Sequence, residues 1–330
     1  MIRPGTDADA AAYIRLIGDA WREYPGVVFD VDAELPELRA LATWFAQQNG
    51  MLWLAEENGR ALGMVATRPQ GADDAYEICR LYLDRSARGS GLAQRLLDTA
   101  ETHARAAGAA RMVLWTDTRF EAAHAFYEKR GYVRQGAIRI LDDLSRSLEF
   151  RYTKPAQGLV VEAMDAAAAT SAERSLSRIL TDCVAEGASL SYLPPLAPDV
   201  ARGFWRGVSA EVAQGHRLLL LAWHEGQLAG SVQLALQVQQ NQPHRVEVEK
   251  LMVAPGHRRR GVGTALVQRA EQAAARLGRR VLTLDTRAGA AGEALFRRLG
   301  WQEAGRIPRL ELDLARVPQD VLFFFKEVAP

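Results

Sequence analysis

Arg88-Gly89-Ser90-Gly91-Leu92-Ala93 and Arg258-Arg259-Arg260-Gly261-Val262-Gly263 are the two stretches on which the reading of this chain turns. Each follows a strand-like run, 76–84 and 246–253, and each opens a helical pattern, 91–107 and 261–277. Glu77-Ile78-Cys79-Arg80-Leu81-Tyr82-Leu83 aligns with Glu247-Val248-Glu249-Lys250-Leu251-Met252-Val253 at an offset of 247 − 77 = 170. The register continues without a gap: Arg88 meets Arg258, Gly91 meets Gly261, Ala93 meets Gly263 and Gly108 meets Gly278. Further on, Asp117-Thr118-Arg119 corresponds to Asp285-Thr286-Arg287 at offset 168 and Gly131-Tyr132 to Gly300-Trp301 at offset 169, shifts that small changes in loop length explain. The two halves are copies of one domain.

Each copy reads the same way. In the first, 2–3 is a short strand and Asp7 is expected to cap a helix reaching about Ala20, with Ala11, Ile14, Leu16 and Ile17 on its apolar face. A second helix is expected over 36–48, then strands over 51–56, 61–67 and 76–84, the first two joined by the hairpin signal Asn58-Gly59. Helix 91–107 ends at Gly108, and strand 111–116, helix 121–129 and strand 148–153 complete the copy. The second copy repeats this order with an opening strand at 159–162, helices over 166–186 and 198–214, strands over 216–223 and 228–238 across Glu225-Gly226, strand 246–253, helix 261–277, strand 281–285 and helix 292–298. The turn-rich Lys154-Pro155-Ala156-Gln157-Gly158 marks the linker, giving domains 1–155 and 156–330. The mixed order excludes simple βαβ winding and indicates an α/β (α+β) class, with a mixed, mostly antiparallel sheet flanked by helices in each copy.

The 330 residues suffice for two such cores. Lys plus Arg number 41 against 40 Asp plus Glu, a formal charge of +1, so the chain lacks the basic surplus of a protein built to grip nucleic acid. Cys79 and Cys183 have no CxxC spacing, and the six histidines include no pair at metal-ligand spacing, so neither a disulfide framework nor a metal site is expected. Met1-Ile2-Arg3-Pro4-Gly5-Thr6-Asp7 turns polar before any apolar run forms, and the apolar runs 218–223 and 321–325 are only strand-length. A cytoplasmic protein with no membrane partner is expected.

Chemistry is expected where strand, glycine loop and helix meet. Small residues let a ligand approach the backbone, and a helix N-terminus favours an anion such as a pyrophosphate. Arg88, Arg258, Arg259 and Arg260 can add charge-assisted contacts to phosphate. The plainer alternative is a tight turn with a solvated basic face. The spacing is neither the dinucleotide fingerprint nor a P-loop, which would need a lysine.

These two motifs resemble the acetyl-CoA pyrophosphate loop of the GNAT N-acetyltransferase superfamily, and 118–132 and 286–301 resemble that superfamily's following strand, helix and Gly-aromatic turn. The resemblance spans nearly the whole chain and implies two tandem GNAT domains. It implies acetyl-CoA held along the strands by Leu81 and Leu83 and by Leu251 and Val253, with a backbone N–H near Leu83 or Val253 polarising the thioester carbonyl. At the loops the implied contacts are Arg88, Gly89, Ser90, Gly91, Leu92 and Ala93, then Arg258, Arg259, Arg260, Gly261, Val262 and Gly263. The second half is further similar to tabtoxin-resistance-like acetyltransferases, through Glu186-Gly187-Ala188-Ser189, Phe204-Trp205-Arg206, Glu249-Lys250-Leu251, Leu284-Asp285-Thr286 and Gly305-Arg306-Ile307-Pro308, which implies a small amine or amino-acid-like acceptor.

The same resemblance implies a tyrosine acid for the leaving thiolate. Tyr127, four residues before Gly131, fits, and also touches the cofactor in that role; the alternative is an aromatic packed with Ala123 and Phe126. The equivalent position in the second half is Phe296, which cannot donate a proton. Either another group or water serves there, or that half binds acetyl-CoA without efficient turnover, or acid catalysis is unimportant there. For the base, Glu77 and Glu247 hold the same strand place, and Glu249 shares a face with Glu247; a solvent-facing carboxylate is the alternative for each. His124 is a further acid or base candidate. Trp21, Tyr24, Phe29 and Trp44, and Tyr192 with Trp205, lie where the superfamily covers its acceptor, or are simply core. The expected function is acetyl-CoA-dependent acetylation of the primary amine of a small molecule by direct attack, in a monomer or homodimer. The alternatives are a half that binds acetyl-CoA as a structural or sensory ligand, or a synthase acylating an amino-sugar thiol.

Overall fold

The computed structural model describes residues 1–71 and 74–329. They form two compact units, Met1–Tyr127 with Arg134–Gln157, and Glu128–Val133 with Gly158–Pro330. The chain divides after Gln157, where the sequence reading placed the boundary after 155, and Glu128–Val133, read as part of the first domain, groups with the second unit.

The first copy comprises β1 (Ile2–Pro4), α1 (Ala10–Trp21), α2 (Leu41–Ala46), β2 (Met51–Glu57), β3 (Arg60–Gln70), β4 (Ala75–Leu83), α3 (Leu92–Ala106), β5 (Arg111–Asp117), α4 (Glu121–Lys129), β6 (Val133–Arg134), β7 (Arg139–Ile140) and β8 (Leu148–Pro155). The second comprises β9 (Leu159–Met164), α5 (Ala166–Ala185), α6 (Pro198–Ala213), β10 (Arg217–His224), β11 (Gln227–Ala235), β12 (Arg245–Val253), α7 (Val262–Arg276), β13 (Val281–Arg287), α8 (Ala291–Arg298), β14 (Gln302–Leu312) and β15 (Pro318–Glu327). One sheet runs β1-β2-β3-β4-β5-β8-β6 with β7 on β8, the other β14-β15-β13-β12-β11-β10-β9. The β4–β5 and β12–β13 ladders are parallel, and the ladders between consecutive hairpin strands are antiparallel. This is the mixed, mostly antiparallel architecture expected from the sequence. The hairpins close where positive φ is available: Asn58 and Gly59 have φ 50° and 75°, Glu225 and Gly226 52° and 71°, the signs a type I′ turn needs.

Each sheet carries helices on both faces. In the first unit, Tyr13, Leu16 and Ile17 of α1 and Leu41 and Phe45 of α2 cluster with Leu52, Leu54, Met64 and Ala66 of the sheet. On the other face α3 buries Leu92, Leu96, Leu97, Ala100 and Ala104, a stripe at helical spacing. A Cβ on Gly63 of β3 would stand 2.9 Å from Leu96 Cδ1, so the glycine permits this approach. In the second unit Leu266, Val267 and Ala270 of α7 pack with Leu220, Val232 and Leu282, while Leu176, Leu180 and Trp205 of α5 and α6 pack with Leu219 and Leu221 on the opposite face. Each fully buried leucine contributes roughly 1.5–3 kcal/mol, which fixes the helices on the sheet.

Two local expectations are corrected, and three strands were not read from the sequence. Asp7 does not cap α1; its carboxylate accepts from the Thr43 N–H at 3.1 Å and hydroxyl at 2.5 Å, in the first turn of α2, while Asp9 accepts from Thr6 N–H at 2.9 Å. The single helix expected over 36–48 is a 3-10 turn, Pro36–Ala40, followed by the short α2, because Ala40 departs from helical geometry with ψ 47°. The strands β6, β7 and β14 carry too little alternation to be read in advance; β14 is exposed along most of its length.

Candidate active site

A backbone irregularity at the same place in each sheet builds the site. On β4, Cys79 pairs with Ala66 and Tyr82 with Met64, so Arg80 and Leu81 together face the one residue Val65. This is a bulge, and Arg80 has φ 54°. On β12, Glu249 pairs with Gln233 and Met252 with Ser231, leaving Lys250, φ 50°, and Leu251 opposite Val232. Both bulges follow a parallel ladder that stops early. β4 meets β5 only from Ala75↔Arg111 to Glu77↔Val113, and β12 meets β13 only from Arg245↔Val281 to Glu247↔Thr283. Past Glu77, β5 continues alone with β8 as far as Asp117↔Glu149. The pairs β4/β5 and β12/β13 therefore splay, and the edge carrying Leu81 and Leu83, or Leu251 and Val253, is left without a strand on that side. Main-chain amides at such an edge accept an extended, amide-bearing chain as a short added strand.

The splay leads to the glycine loop. In the first unit Asp84 holds the turn: Oδ1 accepts from the Ser86 N–H at 3.0 Å and hydroxyl at 2.7 Å, and Oδ2 accepts from Arg15 at 2.7 Å and Arg60 at 2.9 Å. These donors keep its carboxyl well below the usual range. Gly89 and Gly91 have φ 77° and 78°, and Gly91 is the N-cap of α3; Gly261 has φ 84° at the N-cap of α7. Only glycine holds these angles without strain, so the chain turns directly onto the positive end of a 15-residue helix in each unit. Ser90, Leu92 and Ala93, and Val262 and Gly263, lie in or next to this first turn. Arg88 and Arg258 also sit on the loops, but each is held by a carboxylate at the C-terminal end of its unit's first α-helix: Arg88 by Glu23, past α1, through two 2.7 Å bonds, Arg258 by Glu186, at the end of α5. Arg259 and Arg260 complete the basic stretch, Arg259 with φ 58°.

The catalytic candidates fall around the splays. Tyr127 is buried on α4, and its phenol feels both Tyr82 and Cys79 of β4, so the helix presents it toward the bulged strand. Burial raises its pKa above the usual 10.0, which keeps the proton on. Phe296, in the corresponding turn of α8, is buried against Trp301 and Phe324 at centroid distances of 5.6 and 6.3 Å. Glu77 is buried and its Oε2 accepts from Arg68 at 2.7 and 2.8 Å; Arg68 also lies over Trp44. Glu249 accepts from Arg217 at 2.5 Å, a pairing the sequence did not reveal. Glu247 faces Arg245 at 3.2 Å, and burial followed by Glu249 raises its carboxyl.

Two carboxylates that the sequence did not single out as acids or bases join these groups. Glu149 on β8 accepts from Arg139, and burial, with Asp117 and Glu77 nearby, raises its pKa above the usual 4.5. Asp285 on β13 is raised by burial and by Glu311, against Lys250. Lys250 reaches Leu190 O at 3.2 Å and Ser191 Oγ at 2.8 Å. Of the aromatics, Trp21 donates its indole N–H to Tyr82 Oη at 2.9 Å and packs edge-on with Phe29, and Tyr24 packs on Phe120. Trp205 is core. His124 meets Asp117 O at 2.9 Å and stacks on Tyr152, and burial lowers its pKa, so it stands apart from the β4 bulge. Among the described residues no group of three or more His, Cys, Asp or Glu is placed to hold a metal ion, and no helix is long and apolar enough to cross a membrane.

The sequence model of the acetyltransferase (GNAT) family matches residues 14–132 and again 190–301. N-acetyltransferase 8F1 of Rattus norvegicus is 26% identical over 125 residues, 37% of this chain and 54% of that protein. Mycothiol acetyltransferase of Amycolatopsis mediterranei (strain U-32) is 27% identical over 138 residues, 40% of this chain and 44% of that protein. The chain thus spans about half the length of these curated relatives. Among solved structures, yncA, a putative acetyltransferase from Salmonella typhimurium with its cofactor acetyl-CoA, superposes with a TM-score of 0.44 at 19% identity, covering 52% of this chain and 95% of that one.

Proposed function

Because the chain belongs to the acetyltransferase (GNAT) family, whose model matches both halves, we propose that it is an acetyl-CoA-dependent N-acetyltransferase acting on the primary amine of a small molecule, with its working chemistry in the first unit. The observation that carries this reading is the combination, repeated in both units, of a bulged strand splayed from its parallel neighbour and a left-handed glycine opening a long helix. The splayed edge fits the amide-bearing arm of coenzyme A, and the helix end fits its pyrophosphate. Acetyl-CoA supplies an activated acetyl group.

The protein's residues supply the rest. Main-chain groups at Leu81 and Leu83 align the arm and polarise the acyl carbonyl, an oxyanion-hole role. The amine forms its bond to carbon as the carbon–sulfur bond breaks, and Tyr127 gives its phenolic proton to the departing sulfur. Glu149, whose carboxyl is raised, takes the ammonium proton, directly or through water; Glu77, engaged by Arg68, orients and lends charge. A carboxylate with a raised pKa is the better base, since it holds a proton nearer neutrality. In the second unit Leu251 and Val253 with Gly261 provide the same cradle, and Glu247, Glu249 and Asp285 supply carboxylates, but Phe296 donates no proton. That difference favours a second unit that binds acetyl-CoA and turns over slowly or not at all.

The test is release of free thiol from acetyl-CoA across a panel of small primary amines. Acceptor-dependent release that is lost in Tyr127→Phe and kept in Phe296→Leu supports the assignment. Release that does not depend on an amine, or no release with any amine of the panel, refutes it.

A further inference from the structure

The loop arginines have a partner in both units, and it is the same kind of partner. Arg88 forks onto Glu23 with NH1–Oε2 and NH2–Oε1 both at 2.7 Å, and Arg85 Nε lies 3.9 Å from the same carboxylate. Arg258 bonds Glu186 through NH1, while its Nε reaches Val253 O at 3.3 Å and its NH2 reaches Cys183 Sγ at 3.8 Å. Glu23 lies just past the C-terminus of α1, and Glu186 is the C-cap of α5. A carboxylate at the negative end of a helix dipole is in a disfavoured place, and neither acid lies close in sequence to its arginine. The same wrong-signed residue at the same helix end, bound to the equivalent arginine, occurs twice. The carboxylate of Glu23 is held below its usual range by Arg88 first of all, so the pair is ionised at neutral pH.

We infer that Glu23 and Glu186 stand in for the cofactor's phosphates, each holding its loop arginine and competing with the incoming pyrophosphate for it. The inference rests on the assignment of these loops to acetyl-CoA. A carboxylate and a phosphate oxygen present the same acceptor pair to a guanidinium fork, so the arginine is preformed for an anion and neutralised until one arrives. When phosphate takes the arginine, the glutamate is released at the negative end of its helix. The segment that follows, 22–35 in the first unit and 186–197 in the second, then loses one of its ties to the cofactor loop. Glu23 and Glu186 are positioning residues, and the exchange links cofactor occupancy to the segment covering the sheet face on which Glu77 and Glu249 lie.

The test titrates acetyl-CoA into the full chain by calorimetry, comparing the wild type with Glu23→Gln, Glu186→Gln and the double variant. Removing a competing carboxylate should tighten binding, by roughly fivefold for a half-exposed ion pair. The gain should vanish when Arg88→Gln or Arg258→Gln is added. In hydrogen exchange, acetyl-CoA should speed exchange of 22–35 and 186–197 in the wild type and leave it unaltered in the double variant. A mere strut would do the opposite: unchanged or weaker binding in Glu23→Gln and Glu186→Gln overturns the inference. A wild-type chain that binds no acetyl-CoA removes the cofactor assignment itself, and the inference with it.

Discussion

Tyr127 and Phe296 occupy the same turn of equivalent helices, each buried and each four residues before a left-handed glycine, Gly131 with φ 83° and Gly300 with φ 79°. They differ by one oxygen atom. Tyr127→Phe should lower turnover by about 10²–10³-fold while leaving acetyl-CoA affinity within about twofold, because the lost group acts in the transition state and not in cofactor binding. Steady-state kinetics with a parallel binding titration checks this.

The glycines at the two helix N-caps predict separable cofactor sites. Gly91→Val and Gly261→Val place a branched side chain at φ 78° and 84°, where it is strained whatever the space. Each should cost about 1–3 kcal/mol of stability and abolish one acetyl-CoA site, with only Gly91→Val eliminating turnover. Denaturant melts and binding stoichiometry of the two variants give the answer.

The raised carboxyl of Glu149 sets a pH dependence. Its folded pKa lies above the usual 4.5, so the proposed base is lost by protonation at a higher pH than an ordinary glutamate would be. The acid limb of kcat/KM should therefore stand above the usual carboxylate range and collapse in Glu149→Gln. Tyr127 has the complementary sign. Its folded pKa lies above 10.0, so between 10.0 and that higher value the unfolded chain has lost a proton the native chain retains, and stability falls as pH rises through this window. Below it Tyr127 stays protonated and imposes no descending limb on the rate.

Arg68 and Glu77 make a stability prediction. Glu77's side chain is 6% exposed and Arg68's 29%. Arg68→Met should cost about 2–4 kcal/mol, toward the lower end because the pair is partly wetted, since a buried carboxylate is left without its cation. Arg68→Met with Glu77→Gln should recover part of that loss in urea unfolding.

The duplication, both hairpins and the strand–loop–helix junctions were legible because each rests on local chemistry. Asn58-Gly59 and Gly91 carry their φ requirement in their identity, and the helix read over 121–129 coincides with α4. The bulges were not legible, since Arg80 and Lys250 give no sign that they take positive φ; the ladder to β3 or β11 imposes it. Asp7 went to Thr43, 36 residues away, for the same reason that Glu23 went to Arg88: tertiary proximity decides which donor a carboxylate meets. Glu149 belongs to no motif. It joins the site because the β5–β8 register sets it across from Asp117, beyond the point where β4 has parted from β5. The loop arginines were legible as a basic stretch beside a helix N-terminus, but not as arginines paired with Glu23 and Glu186.

The most direct test of two acetyl-CoA cradles on one chain is the stoichiometry of acetyl-CoA binding to the intact protein, measured by calorimetry. The structure predicts close to two equivalents, falling to one in either Gly91→Val or Gly261→Val. No binding, or a single equivalent that survives both substitutions, would contradict it.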